Sequence, residues 1–146
     1  MSQYKNLLLA VDLSEESDLI TERASAIATA HGATLHIVHV IEPLSFAYGG
    51  DIPMDFSGIQ DEIQRQAEQQ LADHAERLGI PRERRHLLLG RPASEIHALV
   101  NDLAIDLVVL GSHGRSGFAR LLGSTANAVL QGSPCDVLAV RVGKKK

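Results

Sequence analysis

Tryptophan is absent from this 146-residue chain, and all aromatic residues together make up only 3 % of it. A core built on stacked rings is thereby excluded. The hydrophobic 45 % falls to Leu, Ile, Val and Ala, the residues of helices packed on a buried parallel sheet. Cysteine occurs once, as Cys135, so no internal disulfide can form and a reducing compartment is expected. No stretch approaches the roughly 18 consecutive apolar residues of a membrane span. At the start, Lys5 precedes only a short apolar run broken by Asp12, which does not read as a signal peptide. The expectation is a cytoplasmic protein with no membrane insertion. Excess positive charge is also missing: the net charge is -4, so nothing draws the chain to nucleic acid. The basic run Lys144–Lys146 reads as a solvated tail. The length suits one domain spanning residues 1–146, and no linker or repeat interrupts it.

What is present alternates between two periodicities. Tyr4–Val11 is a short apolar run ending at Asp12, the pattern of a strand covered on both faces. Ser14 can cap the helix that follows, and Glu15, Glu16 and Asp18 suit its positive first turn. Ile20, Ala24, Ile27 and His31 then recur at helical spacing up to Gly32. Thr34–Ile41 is β-branched and reads as a second strand. Its His36 and His39 do not form a metal pair with Asp12, because residues three apart on a strand point to opposite faces. Glu42–Phe56, with two prolines and two glycines, reads as a loop. Ser57–Gln60 has the form of a capping box, and Ile59, Ile63, Ala67, Leu71, Ala75 and Leu78 mark the apolar face of a long helix.

His86–Leu89 is a third strand, and Pro92 opens a helix carried by Ile96, Leu99, Val100 and Leu103. Asp106–Leu110 is a fourth strand, Ser124–Gln131 a helix, and Asp136–Val142 a fifth strand. Strands alternating with helices predict an α/β fold: a doubly wound, five-stranded parallel sheet with helices on both faces. For the common order 3-2-1-4-5, strand order reverses between strands one and four, and ligands bind beyond the carboxyl ends there. Asp12 and Gly111 flank that point.

After strand four the chain runs from Gly111 through Gly114, Arg115 and Arg120 to Gly123-Ser124-Thr125, where a helix begins. Glycines let a backbone approach a phosphate closely, and unpaired N–H groups at a helix start attract anions. Arg115 and Arg120 can neutralise phosphate charge. Spacing alone leaves two readings open, a phosphate cradle or a tight turn followed by an ordinary helix cap. The Gly-Lys-Ser/Thr ending of a Walker A loop is missing, and so is a Gly-x-Gly-x-x-Gly after strand one.

Ala10-Val11-Asp12-Leu13-Ser14, His39-Val40, Asp106–Arg115, Gly123–Leu130 and Cys135–Arg141 together resemble the universal stress protein family from end to end. The resemblance implies a Rossmann-like, adenine-nucleotide-binding fold that dimerises through its last strand, here Val137–Val142. It implies ATP, with or without Mg2+, as the ligand. Gly111, Gly114, Gly123 and Ser124 would surround the ribose and phosphates, with Thr125 at the helix start. Asp12 would lie by the nucleoside, and Val40 would meet the adenine edge through its backbone. Ala10, Val11, Ser14, Leu110, His113 and Arg115 complete the implied binding set.

The chain departs from the family's nucleotide pattern in one respect: eight residues, Arg115–Leu122, separate Gly114 from Gly123 where nine are usual. The implied function is a nucleotide-dependent stress-response module acting on a protein partner. The alternatives are a nucleotide-free dimeric scaffold and a slow ATPase or phosphotransfer protein. For the last, His113 is the candidate base, without a convincing metal carboxylate beside it. Cys135 reads as filler at or near the core.

Overall fold

The computed structural model describes residues 4–13, 17–43, 57–112 and 124–141. Five parallel strands run β1 (Asn6–Ala10), β2 (Thr34–Ile41), β3 (Arg85–Leu89), β4 (Leu107–Gly111) and β5 (Asp136–Val140). Their order in the sheet is β3-β2-β1-β4-β5, as the chain pattern predicts. Among the described residues, four helices accompany them: α1 (Ser17–His31), α2 (Ser57–Arg77), α3 (Pro92–Leu103) and α4 (Ser124–Leu130). Strand limits move by one or two residues from expectation. β1 is trimmed at both ends, β4 gains Gly111, and β5 stops at Val140 because Arg141 leaves the ladder. A short 3-10 turn at Arg82–Arg84, unannounced by any periodicity, leads into β3.

Alternation along the strands divides the core in two. Leu7 and Leu9 of β1, Ile37 of β2 and Leu107 and Val109 of β4 face α1 and α2. There they meet Ile20, Ala24 and Ala28 from α1 and Ala67, Leu71 and Ala75 from α2. Leu8, Val38, Val108 and Leu110 face the other way, onto Ile96 and Val100 of α3 and Ala126 and Val129 of α4. Burial on both sides is why the β1 and β4 segments are continuous apolar runs.

The expected apolar face of α2 is only half realised. Ala67, Leu71 and Ala75 are buried, but Ile59 is 51 % exposed and Ile63 36 %. The reason is length. A helix of 21 residues rises about 31 Å, longer than the about 17 Å spanned by the five-residue strand β3 against which it packs. The sequence reads Ser14 as the cap of α1. The helix is described from Ser17, and residues 14–16 lie outside the described set. The predicted loop Glu42–Phe56 lies outside it beyond Pro43.

The N-terminal ends of the three strands on one side of the sheet are tied by side chains. The Asp106 carboxylate accepts from the backbone N–H of Lys5 (2.9 Å) and of Asn6 (3.0 Å). The Tyr4 hydroxyl donates to Asp136 at 2.7 Å, which together with burial raises the phenol above its ordinary pKa.

Helix α3 ends on Ala104, held at φ 55° and ψ 45°, and its N–H bonds back to the Val100 carbonyl. A side chain in this left-handed region costs about 1–2 kcal/mol, which glycine avoids at the expense of backbone entropy. Ala104→Gly is therefore expected to raise the unfolding free energy by about 0.5–1 kcal/mol, measured by urea denaturation.

Candidate functional site

The chain leaves β1 toward α1 on one face and leaves β4 toward α4 on the other. Since β1 and β4 are neighbours, with Leu9 opposite Val109, the switch point at which doubly wound sheets form a crevice lies beyond their carboxyl ends. Sequence patterning expects the switch point between strands one and four, and the order β3-β2-β1-β4-β5 puts it there.

The β1 side of the crevice is held by β2. Val11 extends the strand by donating its N–H to the Val38 carbonyl at 3.0 Å. Its own carbonyl accepts a 2.7 Å hydrogen bond from Nδ1 of His39. A carbonyl cannot donate, so His39 carries a proton on Nδ1. Half-buried Asp12 follows, and then Leu13 turns the backbone at φ 63°. A branched side chain with positive φ is uncommon and is kept where its surroundings over-determine it. Here the clamp on Val11 comes before the turn, while Leu13 itself packs partly against the α1 cluster. The path at Asp12 is thus fixed from both sides.

On the β4 side, Leu110 is buried, Gly111 pairs with Val140, and buried Ser112 donates its N–H to the Val140 carbonyl at 2.8 Å. Helix α4 starts at Ser124, with Thr125 exposed and Ala126 buried. Val40, one residue from the end of β2, is half-buried and packs against the α3 and α4 cluster.

Of the expected binding set, Ala10, Val11, Asp12, Leu110 and Gly111 therefore come together at the switch point, and Val40 lies near the end of the next strand. Ser14, His113, Gly114, Arg115 and Gly123 lie outside the described residues. Sequence reasoning missed the His39 clamp and the Leu13 turn. A histidine near the end of a buried strand, needing a hydrogen-bond partner, was the available signal.

The other polar candidates resolve plainly. His36 and His39 face opposite sides of β2, as their spacing predicts: His39 reaches Val11, whereas His36 meets His86. Among the described residues, no group of three or more His, Cys, Asp and Glu is placed to hold a metal ion. Cys135 packs against the α3 and α4 cluster beside Ser133, and burial pushes its thiol up, so it is a poor nucleophile near neutral pH.

A groove of about 460 Å³ between α1 and α2 is lined by Thr21, Ser25, His74 and Arg77 among others. Arg77 crosses it, donating to Nδ1 of His74 at 3.0 Å and reaching Asp18 at 3.3 Å. The ion pair is 60 % and 63 % exposed on its two sides, so it contributes little to stability. His74 is only 9 % exposed. Burial and then Arg77 lower its pKa, against opposing pulls from Asp18, Asp73 and Asp12.

An α/β fold with a five-stranded parallel sheet and a topological switch point between β1 and β4 defines the class, a doubly wound protein. The family follows from comparison with known proteins. The model of the universal stress protein family matches residues 3–141, and the chain belongs to that family. It is 42 % identical to universal stress protein A homolog 1 of Coxiella burnetii over 139 residues, covering 94 % of this chain and 96 % of the relative. Among solved structures, the hypothetical protein MJ0577 superposes with a TM-score of 0.79 at 22 % identity, over 97 % of this chain and 99 % of that one. A universal stress protein in complex with cAMP superposes at 0.65 with 29 % identity, over 97 % and 100 %.

Three histidines, His36, His74 and His86, share a pKa lowered chiefly by burial. The unfolded chain therefore binds more protons than the folded one below about pH 6.5, the ordinary histidine value. Their contribution to stability is present above that value and lost as pH falls through the lowered folded values. The urea midpoint is expected to drop on acidification from neutrality, and to drop less in His74→Gln.

Proposed function

We propose that the chain binds an adenine nucleotide, ATP, in the crevice between β1 and β4 and acts as a nucleotide-dependent module of the stress response. The observation that carries this reading is the braced turn at Asp12 facing the end of β4, from which the glycine-rich stretch departs. Phosphates would be met by Gly111, His113, Gly114, Arg115, Gly123, Ser124 and Thr125, using backbone N–H groups and arginine charge. Ala10, Val11, Asp12 and Ser14 would flank the nucleoside, and the Val40 backbone would read the adenine edge. Mg2+ would accompany the triphosphate as its counter-ion. The relative solved with cAMP supports adenine recognition within the family at 29 % identity.

The same proposal takes residues 1–146 as one cytoplasmic domain. Among the described residues no helix is long and apolar enough to cross a membrane. It also takes the chain as a homodimer joined through the β5 edge, Val137–Val142; among the described residues β5 pairs with β4 alone, which leaves its other edge open to a second chain. The assembled, nucleotide-loaded surface would then be what a protein partner reads.

Calorimetry with ATP and with cAMP tests the ligand. Binding of ATP by the wild type is expected, with loss of at least about tenfold in affinity in Gly114→Val and Gly123→Val, where a branched side chain would displace phosphate. No binding at millimolar nucleotide would favour the nucleotide-free scaffold, and tighter binding of cAMP would make the ligand cyclic. Metal-dependent turnover lost in His113→Ala would make the protein an ATPase. A dimer is expected in sedimentation at tens of micromolar, and a monomer in Val137→Lys; a wild-type monomer would remove the β5 interface.

A further inference from the structure

Among the described residues, strand β3 is an outer strand bonded only to β2, and none of its five side chains is fully buried. Alternation puts His36, Val38 and Val40 of β2 on the same sheet face as His86 and Leu88 of β3, the face covered by α3. There Nδ1 of His36 and Nε2 of His86 lie 3.4 Å apart, with the rings stacked at 5.6 Å between centroids and 25° between planes. His36 is 9 % exposed. A hydrogen bond between ring nitrogens needs one of the two to be bare; two imidazoliums would aim N–H at N–H.

Among the described residues, no carboxylate acts on either ring. From the turn before β3, Arg84 acts on His36, and its guanidinium is held there by a 3.1 Å bond from Nε to the Leu35 carbonyl. From β3 itself the other influence on His36 is His86. Helix α3 covers this face with Ile96, Leu99, Val100 and Leu103. Its Glu95 and Asp102 are not among the groups acting on either ring, and its His97 is engaged with the Val129 carbonyl at 2.8 Å. From β1 the register neighbour of His36 is Leu8. The first proton therefore places a cation beside Arg84, and the second ends the ring contact.

We propose that the His36–His86 pair is an acid-sensitive latch, which holds the outer strand β3 on β2 near neutral pH and releases it on acidification. Burial lowers the pKa of both rings, so the latch is closed at neutrality. Release would reach the candidate site along the ladder, since Leu88 pairs with Val40, two residues above His86 and its partner Val38. That last step rests on the nucleotide reading; the latch itself does not.

Amide hydrogen exchange on the nucleotide-free wild type, corrected for intrinsic rates, tests the latch between about pH 7.5 and about pH 5.5, either side of the ordinary histidine value. Protection of β3 is expected to fall about tenfold relative to β4. His86→Gln keeps an amide that can meet the His36 ring at either pH, and should abolish the difference. Equal loss in β3 and β4, or an unchanged loss in His86→Gln, would overturn the latch. Should that variant fail to fold, His74→Gln decides: a β3-specific loss that persists there upholds the latch, and one that vanishes assigns the effect to His74.

Discussion

The pairing of β1 with β4 joins two strands whose side chains are almost wholly buried on both faces. Leu7, Leu8 and Leu9 on one and Val108 and Val109 on the other have no exposed surface. Each successive residue serves a different helical layer, so neither layer can be assembled without the other. Burying a Leu or Val side chain is worth about 1.5–3 kcal/mol. The absence of tryptophan leaves these aliphatic contacts as the main source of core stability. The same pairing defines the crevice, because the connections leave its two carboxyl ends toward opposite faces. Stability and binding geometry thus share one constraint.

Around that pair, polar groups act mainly on the backbone. The Asp106 carboxylate gathers two N–H groups at the amino end of β1, and His39 holds the Val11 carbonyl at the carboxyl end. Both fix where the strand starts and stops rather than adding buried area. The Leu13 turn shows the effect of such bracing: a conformation disfavoured for leucine is kept at the point where the candidate site begins.

The central strands were legible because burial on both faces leaves unbroken apolar runs, and the doubly wound order followed from the regular alternation of strand and helix. Features that depend on distance in three dimensions were less legible. Periodicity assigned Ile59 and Ile63 to the buried face of α2, but it carries no information about how deep the sheet beneath a helix is. The His36–His86 contact depends on the register between β2 and β3, set by a connection of more than forty residues. At the site, the glycine spacing was visible and the end-to-end resemblance identified the family. The His39 clamp was not visible, because it joins the ends of two strands through one side chain and one carbonyl.

The position of β5 has a mechanical consequence. It runs parallel to β1 with only β4 between them, so the first and last described strands point the same way. A force drawing residue 4 away from residue 141 would act along the strands and in opposite directions on β1 and β5. The ladders on either side of β4 would then be loaded in shear, with all their hydrogen bonds sharing the strain at once rather than opening one after another. Tyr4, bonded to the first residue of β5, would have to yield at the outset. A sheet loaded in this way between residues 4 and 141 resists being pulled apart better than one whose strands peel open in turn.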